Sequence, residues 1–408
     1  MLTMTTRRLT GNNRILFVAI CVAVCVATTD FIIGTAPVAT QIAKPDTKEG
    51  LSFQQPRRPS PTEGWSTTTT TTTALHNDDT DHAIREYFRN LHISPEAGGN
   101  LSLSLLDVFR EHNWPPKHLV ENIADDQNRV LIASPNCGFV DFADNWVGGL
   151  MRFNRTNYLL VPMDWKAHDI MVSAYGAEHV LPPMPGVNFA VGETNYTSDQ
   201  AFSSMTKRRP MWLLEILNAG DGKNISLFYM DVDTVWVKDA LTDLEEEDRN
   251  DKHPHYDFQL CSRDNLVKAH VRNFNSGMIY MKSTQGTRTF LNGWAKTAVE
   301  YKRAHDDQEA MQHFLFNEVG VRVKNCTRMI PKGILWFEGR IPVNTHIKYP
   351  HGVEYFERQT NRSEAVIVHN NFITGGTNKR KRFRDHGLWN PTGRLPSDLD
   401  LASMCRYE

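Results

Sequence analysis

Leu227-Phe228-Tyr229-Met230-Asp231-Val232-Asp233-Thr234-Val235-Trp236 is an apolar run that ends in two carboxylates one residue apart. The run is short, apolar and rich in aromatics, which is how a buried strand reads. Strand side chains alternate with period two, so Asp231 and Asp233 are expected on one side and Val232 on the other. Two carboxylates converging at a strand end form a site for a hard divalent cation, which takes oxygen ligands. In an open α/β sheet, ligands bind outside the carboxyl ends of the strands. A bare Asp-x-Asp also suits a solvated turn, and the apolar residues before and after the pair weigh against that reading.

Outward from this strand the pattern alternates. Helical spacing covers Ala83 to Asn90, Leu101 to His112, Phe139 to Phe153, Trp165 to Tyr175, Met211 to Ala219, Thr287 to Ala304 and Asp307 to Glu318. Strand-like runs occupy Arg129 to Ala133, Tyr158 to Met163, Ile225 to Met230, Phe258 to Cys261 and Met278 to Met281. Such alternation predicts an α/β fold, a mostly parallel sheet with helices on both faces. The 408 residues, 40% hydrophobic, suffice for one large or two ordinary domains. A formal net charge of -2 argues against nucleic acid as a partner. Six cysteines are too few for a disulfide scaffold, and the absence of a Cys-x-x-Cys pair argues against zinc. How Cys137, Cys261, Cys326 and Cys405 pair stays open. There is no Walker A loop and no Gly-x-Ser-x-Gly elbow, and Gly220-Asp221-Gly222 is half a dinucleotide fingerprint on the wrong side of a strand.

The N-terminus reads as a targeting segment. Arg7, Arg8 and Arg14 precede an apolar run from Ile15 to Ala27 that resumes after Asp30 and reaches Ala36. Counted to Ala36 it is long enough to cross a membrane as an uncleaved signal anchor, with the N-terminal side cytoplasmic. Cleavage near Ala27 is the alternative and would give a secreted chain. Residues 37–80, with Pro56, Pro59, Pro61 and a threonine run from Thr67 to Thr73, hold too little apolar surface to fold and form a stem. Six sequons, at Asn100, Asn154, Asn195, Asn224, Asn325 and Asn361, fit a luminal domain.

Six segments stand in a recognisable order. They are Asn145-Trp146, Lys207-Arg208-Arg209-Pro210, the acidic pair itself, Phe274-Asn275-Ser276-Gly277-Met278-Ile279-Tyr280, Asp307-Gln308-Glu309-Ala310, and His369-Asn370-Asn371-Phe372-Ile373 with Gly375, Lys379 and Gly387-Leu388-Trp389. From Arg129 to Trp389 the chain resembles the nucleotide-diphospho-sugar transferase domain of plant and algal type, grouped with glycosyltransferase family 77. The resemblance implies a GT-A (Rossmann-like) fold, a UDP-sugar donor carrying a pentose or galactose, and a glycan or glycoprotein acceptor. It also implies Mn²⁺ or Mg²⁺, retention of anomeric configuration, and a type II Golgi membrane protein. Ala240 stands where the family usually has proline, and Gly222-Lys223-Asn224 lengthens the approach to the acidic strand. The chain then divides into a cytoplasmic tail (1–14), anchor (15–36), stem (37–80), helical lead-in (81–125), transferase domain (126–395) and C-terminal tail (396–408).

Each motif carries a chemical expectation. Asp231 and Asp233 are the expected metal ligands, and His369, ending the apolar run from Ala365 to Val368, is the third. Without the resemblance, His369 reads as an ordinary hydrogen-bonded histidine. Lys379, in a basic cluster with Arg380, Lys381, Arg382 and Arg384, is expected on a loop that clamps the donor's pyrophosphate, the other four facing solvent. Asp306-Asp307-Gln308 opens a helix, where aspartate is a common cap. Asp307 and Gln308 are the candidates to face the sugar's reacting carbon, by double displacement or same-face attack. Asn275, Ser276 and Gly277 offer a small residue where backbone can approach the donor or acceptor closely, and Asn136 is a candidate contact to the nucleotide. Two other readings compete. Asp231-Val232-Asp233-Thr234-Val235 also resembles the first motif of haloacid dehalogenase-type phosphatases, and a catalytically silent sugar-nucleotide binder would keep the same residues.

Overall fold

The computed structural model describes residues 112–185, 200–250, 256–262, 274–319, 322–324, 327–329, 340–344, 348–359, 362–396 and 400–405. The expected tail, anchor, stem and helices between Ala83 and Glu111 lie outside the described residues, as do the sequons at Asn100, Asn195, Asn325 and Asn361. Among the described residues no helix is long and apolar enough to cross a membrane. Asn154 and Asn224 are exposed and sit in left-handed turns.

Helix α1 (Lys117–Ile123) leads into β1 (Arg129–Ala133), then α2 (Val140–Met151), β2 (Tyr158–Leu160) and α3 (Trp165–Tyr175). Helices α4 (Gln200–Lys207) and α5 (Arg209–Ala219) precede β3 (Ser226–Met230). After it come β4 (Thr234–Trp236), α6 (Ala240–Asn250), β5 (Phe258–Ser262), β6 (Phe274–Met281), α7 (Gln285–Glu300) and α8 (Asp307–His313). The short strands β7 (Arg322–Lys324), β8 (Thr327–Met329) and β9 (Arg340–Asn344) follow, then β10 (Ile367–His369), α9 (Gly376–Asp385) and α10 (Leu401–Met404).

Eight strands form one sheet in the order β2-β1-β3-β6-β5-β9-β8-β7. Strand β1 is parallel to β2 and β3, and β9 is parallel to β5. Strand β6 is antiparallel to both its neighbours, and β8 likewise. The direction is therefore mostly shared, as the alternation predicts, but the sheet is mixed. The reversal of β6 has a use: it lays the start of β6 beside the end of β3, so that Asp231 N–H donates to Gly277 C=O at 2.7 Å.

Period-two burial splits the core. Val130, Ile132, Leu227, Tyr229, Leu260 and Ile279 face one side with Trp212, Leu213 and Ile216 of α5 and Phe290, Leu291 and Trp294 of α7. Leu131, Ala133, Phe228, Met230 and Met278 face the other with Ala143, Trp146 and Val147 of α2 and Met171 of α3. Helices cover both faces, as expected.

The acidic run does not continue as one strand. Strand β3 ends at Met230, and the chain turns through Asp231 to Asp233, with Thr234 N–H and Oγ both donating to Asp231 C=O at 3.0 and 2.7 Å. It then enters β4, which pairs antiparallel with β10, Thr234 opposite His369. The turn wins because a threonine hydroxyl three residues on satisfies the carbonyl that a longer strand would have paired. Ala240 is the first residue of α6, a position where proline is tolerated but not required.

The C-terminal segment is fastened across α2. Asn390 N–H donates to Asn145 Oδ1, Thr392 Oγ1 donates to Asp144, and a Cβ on Gly148 would overlap the Asn390 carbonyl. Beyond it Cys405 is disulfide-bonded to Cys137, directly after β1. Residues 400–405, expected within a trailing tail, are thus anchored.

Candidate functional site

A cavity of about 310 Å³ opens at the carboxyl ends of β1 and β3. Asn136, Asp231, Asp233, Asn275, Ser276, Gly277, Asp307, Gln308, His369 and Lys379 all line it. Every candidate drawn from the sequence therefore lies in one place.

One wall is the acidic turn. His369 Nε2 lies 3.5 Å from Asp231 Oδ2 and 3.3 Å from Asp233 Oδ1. Ligand atoms of the three side chains fall within 4.8 Å of one another, which suits a single divalent ion. The β4–β10 ladder delivers the histidine, and Asn370 N–H clips the next residue to Asp233 C=O at 2.8 Å. Gly277 faces the same point. A Cβ there would overlap Asp231 Oδ2 and sit 2.6 Å from His369 Cε1. No residue with a side chain fits beside that triad, so the small residue is needed here against the acidic turn itself. Asn275 Oδ1 accepts from Gly277 N–H at 2.7 Å and fixes this corner.

Lys379 reaches the site from helix α9 rather than from a loop, its Nζ 2.7 Å from Asp233 Oδ2. The helix forms because its basic residues find partners along its sides. Arg380 pairs with Asp141 at 2.5 Å, and Arg382 donates to Asn370 Oδ1 at 2.6 Å and Asn371 C=O at 2.5 Å. The expectation that Arg380 and Arg382 face solvent is thereby corrected, whereas Lys381 and Arg384 are exposed. Burial would raise the Asp233 carboxyl, but Lys379 and His369 outweigh it and hold it well below the usual carboxylate range.

The opposite wall is the start of α8. Asp306 is the cap, accepting from Glu309 N–H at 2.8 Å, which leaves Asp307 and Gln308 to face the cavity. Gln308 Oε1 accepts from Ser276 N–H at 3.3 Å. Burial raises the Asp307 carboxyl to about 7, opposed by Arg209 and reinforced by Asp306 and Asp231.

Between the walls stands Arg209, to which the sequence alone assigned no role. It is 8% exposed and pairs with Asp307 Oδ2 at 2.9 Å and Asp231 Oδ1 at 3.2 Å. It also donates to Ser276 C=O at 3.2 Å and Oγ at 3.1 Å, over the ring of Tyr229. Burial alone would weaken its charge, and Asp307, Tyr229 and Asp231 reverse that effect. The one available signal was an arginine at the head of a helix whose next residues are otherwise apolar, Pro210 to Leu214. Tyr229, also unassigned, donates to Asp231 Oδ1 at 2.5 Å.

A UDP-D-xylose:L-fucose alpha-1,3-D-xylosyltransferase of Arabidopsis thaliana is 25% identical over 64% of this chain and 70% of its own length. A UDP-galactose:fucoside alpha-3-galactosyltransferase of Dictyostelium discoideum is 23% identical over 66% of this chain and 44% of its own. A solved galactosyltransferase bound to donor and acceptor sugar analogs superposes with a TM-score of 0.39 at 13% identity, over 68% of this chain and all of that one. Residues 154–383, more than half of the chain, match the model of the nucleotide-diphospho-sugar transferases. That match runs from the approach to β2 through most of α9, and the chain belongs to the nucleotide-diphospho-sugar transferase family.

Proposed function

We propose that this protein is a metal-dependent glycosyltransferase. It moves a pentose or galactose from a UDP-sugar to a fucose-bearing glycan or glycoprotein, with retention of configuration, from the lumenal side of a Golgi membrane. The observation that carries the reading is the convergence of a two-carboxylate, one-imidazole donor set with a buried carboxylate–guanidinium pair across one cavity. The relatives' names supply the sugar and acceptor classes.

The donor set fits Mn²⁺ or Mg²⁺, with Asp231, Asp233 and His369 as ligands and Gly277 leaving the room. Such an ion, when bound, neutralises charge on the departing nucleoside diphosphate. Lys379, already at this wall, contributes a second positive charge toward the diphosphate. Across the cavity, Asp307 in its ionised form stabilises positive charge on the sugar's reacting carbon or attacks it, with Gln308 beside it. Arg209 sets the orientation of Asp307 and ties it to Asp231, so the two walls keep a fixed spacing. Asn136 and the residues just before it form the floor on the side of β1.

A phosphatase of the haloacid dehalogenase type needs its first aspartate available to attack phosphorus. Here Asp231 is occupied by Tyr229 and Arg209 and faces an imidazole, which favours the transferase. The test uses the full-length chain in detergent with Mn²⁺. UDP should be released slowly from UDP-xylose or UDP-galactose, EDTA should stop it, and Asp231→Asn should cut it by at least about 100-fold. Hydrolysis of a phosphomonoester instead, or full activity in EDTA, would refute the proposal.

A further inference from the structure

Phe372 stands apart from the other apolar residues. Among the described residues, three large apolar side chains are exposed, and Phe372, at 44%, is the one that lines the cavity. Its backbone is left-handed, at φ 57°. The other described non-glycine residues with positive φ are Asn113, Asn128, Asn154, Asn224 and Gln359, all amide side chains. Asparagine visits this region readily, but a bulky aromatic there is strained by about 1–2 kcal/mol. Turn chemistry therefore does not account for a phenylalanine.

The backbone beside that ring is tied down, and one neighbour meets the ring itself. Asn371 Oδ1 accepts from Gly352 N–H at 2.9 Å, and its carbonyl accepts from Arg382. The Phe372 ring meets the His351 ring edge-on, with centroids 4.9 Å apart, and His351 bridges to His369. An exposed aromatic face is thus presented to the cavity, close in the chain to the proposed metal ligand.

We propose that Phe372 is the platform for the acceptor sugar. The inference rests on the transferase reading of this cavity. A pyranose is polar at its rim and apolar on its C–H face, and that face packs on an aromatic ring. The donor's diphosphate belongs with the buried polar groups, Asp233 and His369 among them. The acceptor instead arrives from solvent as part of a larger glycan, so its platform has to be exposed. Phe372 brings no hydrogen-bonding group, so it favours a sugar with a methyl at C6 over one with a hydroxymethyl, and it makes that choice as a specificity-determining residue.

The test compares methyl α-L-fucoside with methyl α-L-galactoside, which differ by that hydroxyl, on the wild-type chain, Phe372→Ala and Phe372→Trp. Wild type should prefer the fucoside. Phe372→Ala should raise the fucoside KM about tenfold and shrink the preference, since a single small group in an apolar site is worth roughly 10–200-fold. Phe372→Trp should restore most of it. The Kd for UDP with Mn²⁺, read by calorimetry, should move less than about twofold in either variant, because position 372 is assigned to the acceptor and not to the nucleotide. A parallel loss of UDP affinity in Phe372→Ala would assign the ring to the donor and overturn the proposal. So would an unchanged fucoside KM, or a wild-type chain that hydrolyses UDP-sugar yet responds to neither glycoside. Absence of any UDP release by wild type would instead defeat the transferase reading itself.

Discussion

A glycine hydrogen is all that separates β6 from the triad. Gly277→Ala puts a methyl group where Asp231 Oδ2 now lies, with Asn275 Oδ1 at 2.8 Å and His369 Cε1 at 2.6 Å. All three side chains are short and held by hydrogen bonds or ion pairs, so the triad has to open. Mn²⁺ affinity should fall at least about tenfold in calorimetry while the melting temperature shifts by only a few degrees, as for a loss of about 1 kcal/mol. Unchanged Mn²⁺ binding would remove Gly277 from the site. Asp307 makes a second prediction at this scale. Its carboxyl titrates near 7 in the folded protein and near 3.8 unfolded. Below about pH 4 it is neutral in both states and costs nothing. As pH rises through 7 the folded protein has to ionise a buried group, so stability is lost across that window. The melting temperature of wild type minus that of Asp307→Asn should fall between pH 4 and 7. Activity should run the other way, with an acid limb near pH 7 in kcat/KM, because the ionised form faces the sugar. A flat difference in melting temperature would show that Arg209 alone sets the charge.

Elements decide which residues meet. The β4–β10 ladder carries His369, and α9 carries Lys379, to opposite oxygens of Asp233. His369→Ala should weaken Mn²⁺ and UDP affinity together, whereas Lys379→Ala should weaken UDP alone. Calorimetry with Mn²⁺, then with Mn²⁺ plus UDP, separates them, and wild-type binding by His369→Ala would make the histidine structural. The same elements show what the sequence could reveal. Strand β3 was legible because four consecutive apolar or aromatic residues precede a carboxylate, and α3 because its spacing and its Asp164 cap are local. Strands β4 and β10 are three residues each, below the length at which periodicity speaks, and pairing between distant segments leaves no local trace. Helix α9 was hidden because Lys379-Arg380-Lys381-Arg382 has a polar surface all round, and its stability comes from Asp141, Asn370 and Asp233 across the fold. Arg209 was illegible in role for a related reason: a buried arginine is readable only from the carboxylates around it.

Across the whole molecule, the described fold is closed by a single covalent clasp. The disulfide joins residues 268 apart, which removes much freedom from the unfolded chain. Cys405→Ser should cost about 2–4 kcal/mol, seen as a lower denaturation midpoint with a steeper slope, because the unfolded chain without the cross-link is more expanded. The donor KM should rise as well, because Cys137 follows Asn136 on the cavity floor. A midpoint equal to that of wild type would show that the contacts of Asn390 and Thr392 with α2 suffice. For the membrane proposal, a C-terminally tagged full-length chain should resist carbonate extraction and be protected from protease in intact microsomes. A chain starting near Thr28 in the medium would show cleavage instead.

The position of His369 bears on how this enzyme is made. Chains leave the ribosome from the N-terminus, and domains generally assemble in that order. Strands β1 to β6 and the acidic turn are therefore present while β10, α9 and Cys405 are still to be synthesised. A nascent chain that ends before β10 carries the acidic pair and Asp307, yet it lacks the imidazole, the lysine and the aromatic rim. A product terminated before β10 lacks His369 and Lys379, so it should leave nucleotide sugar unspent.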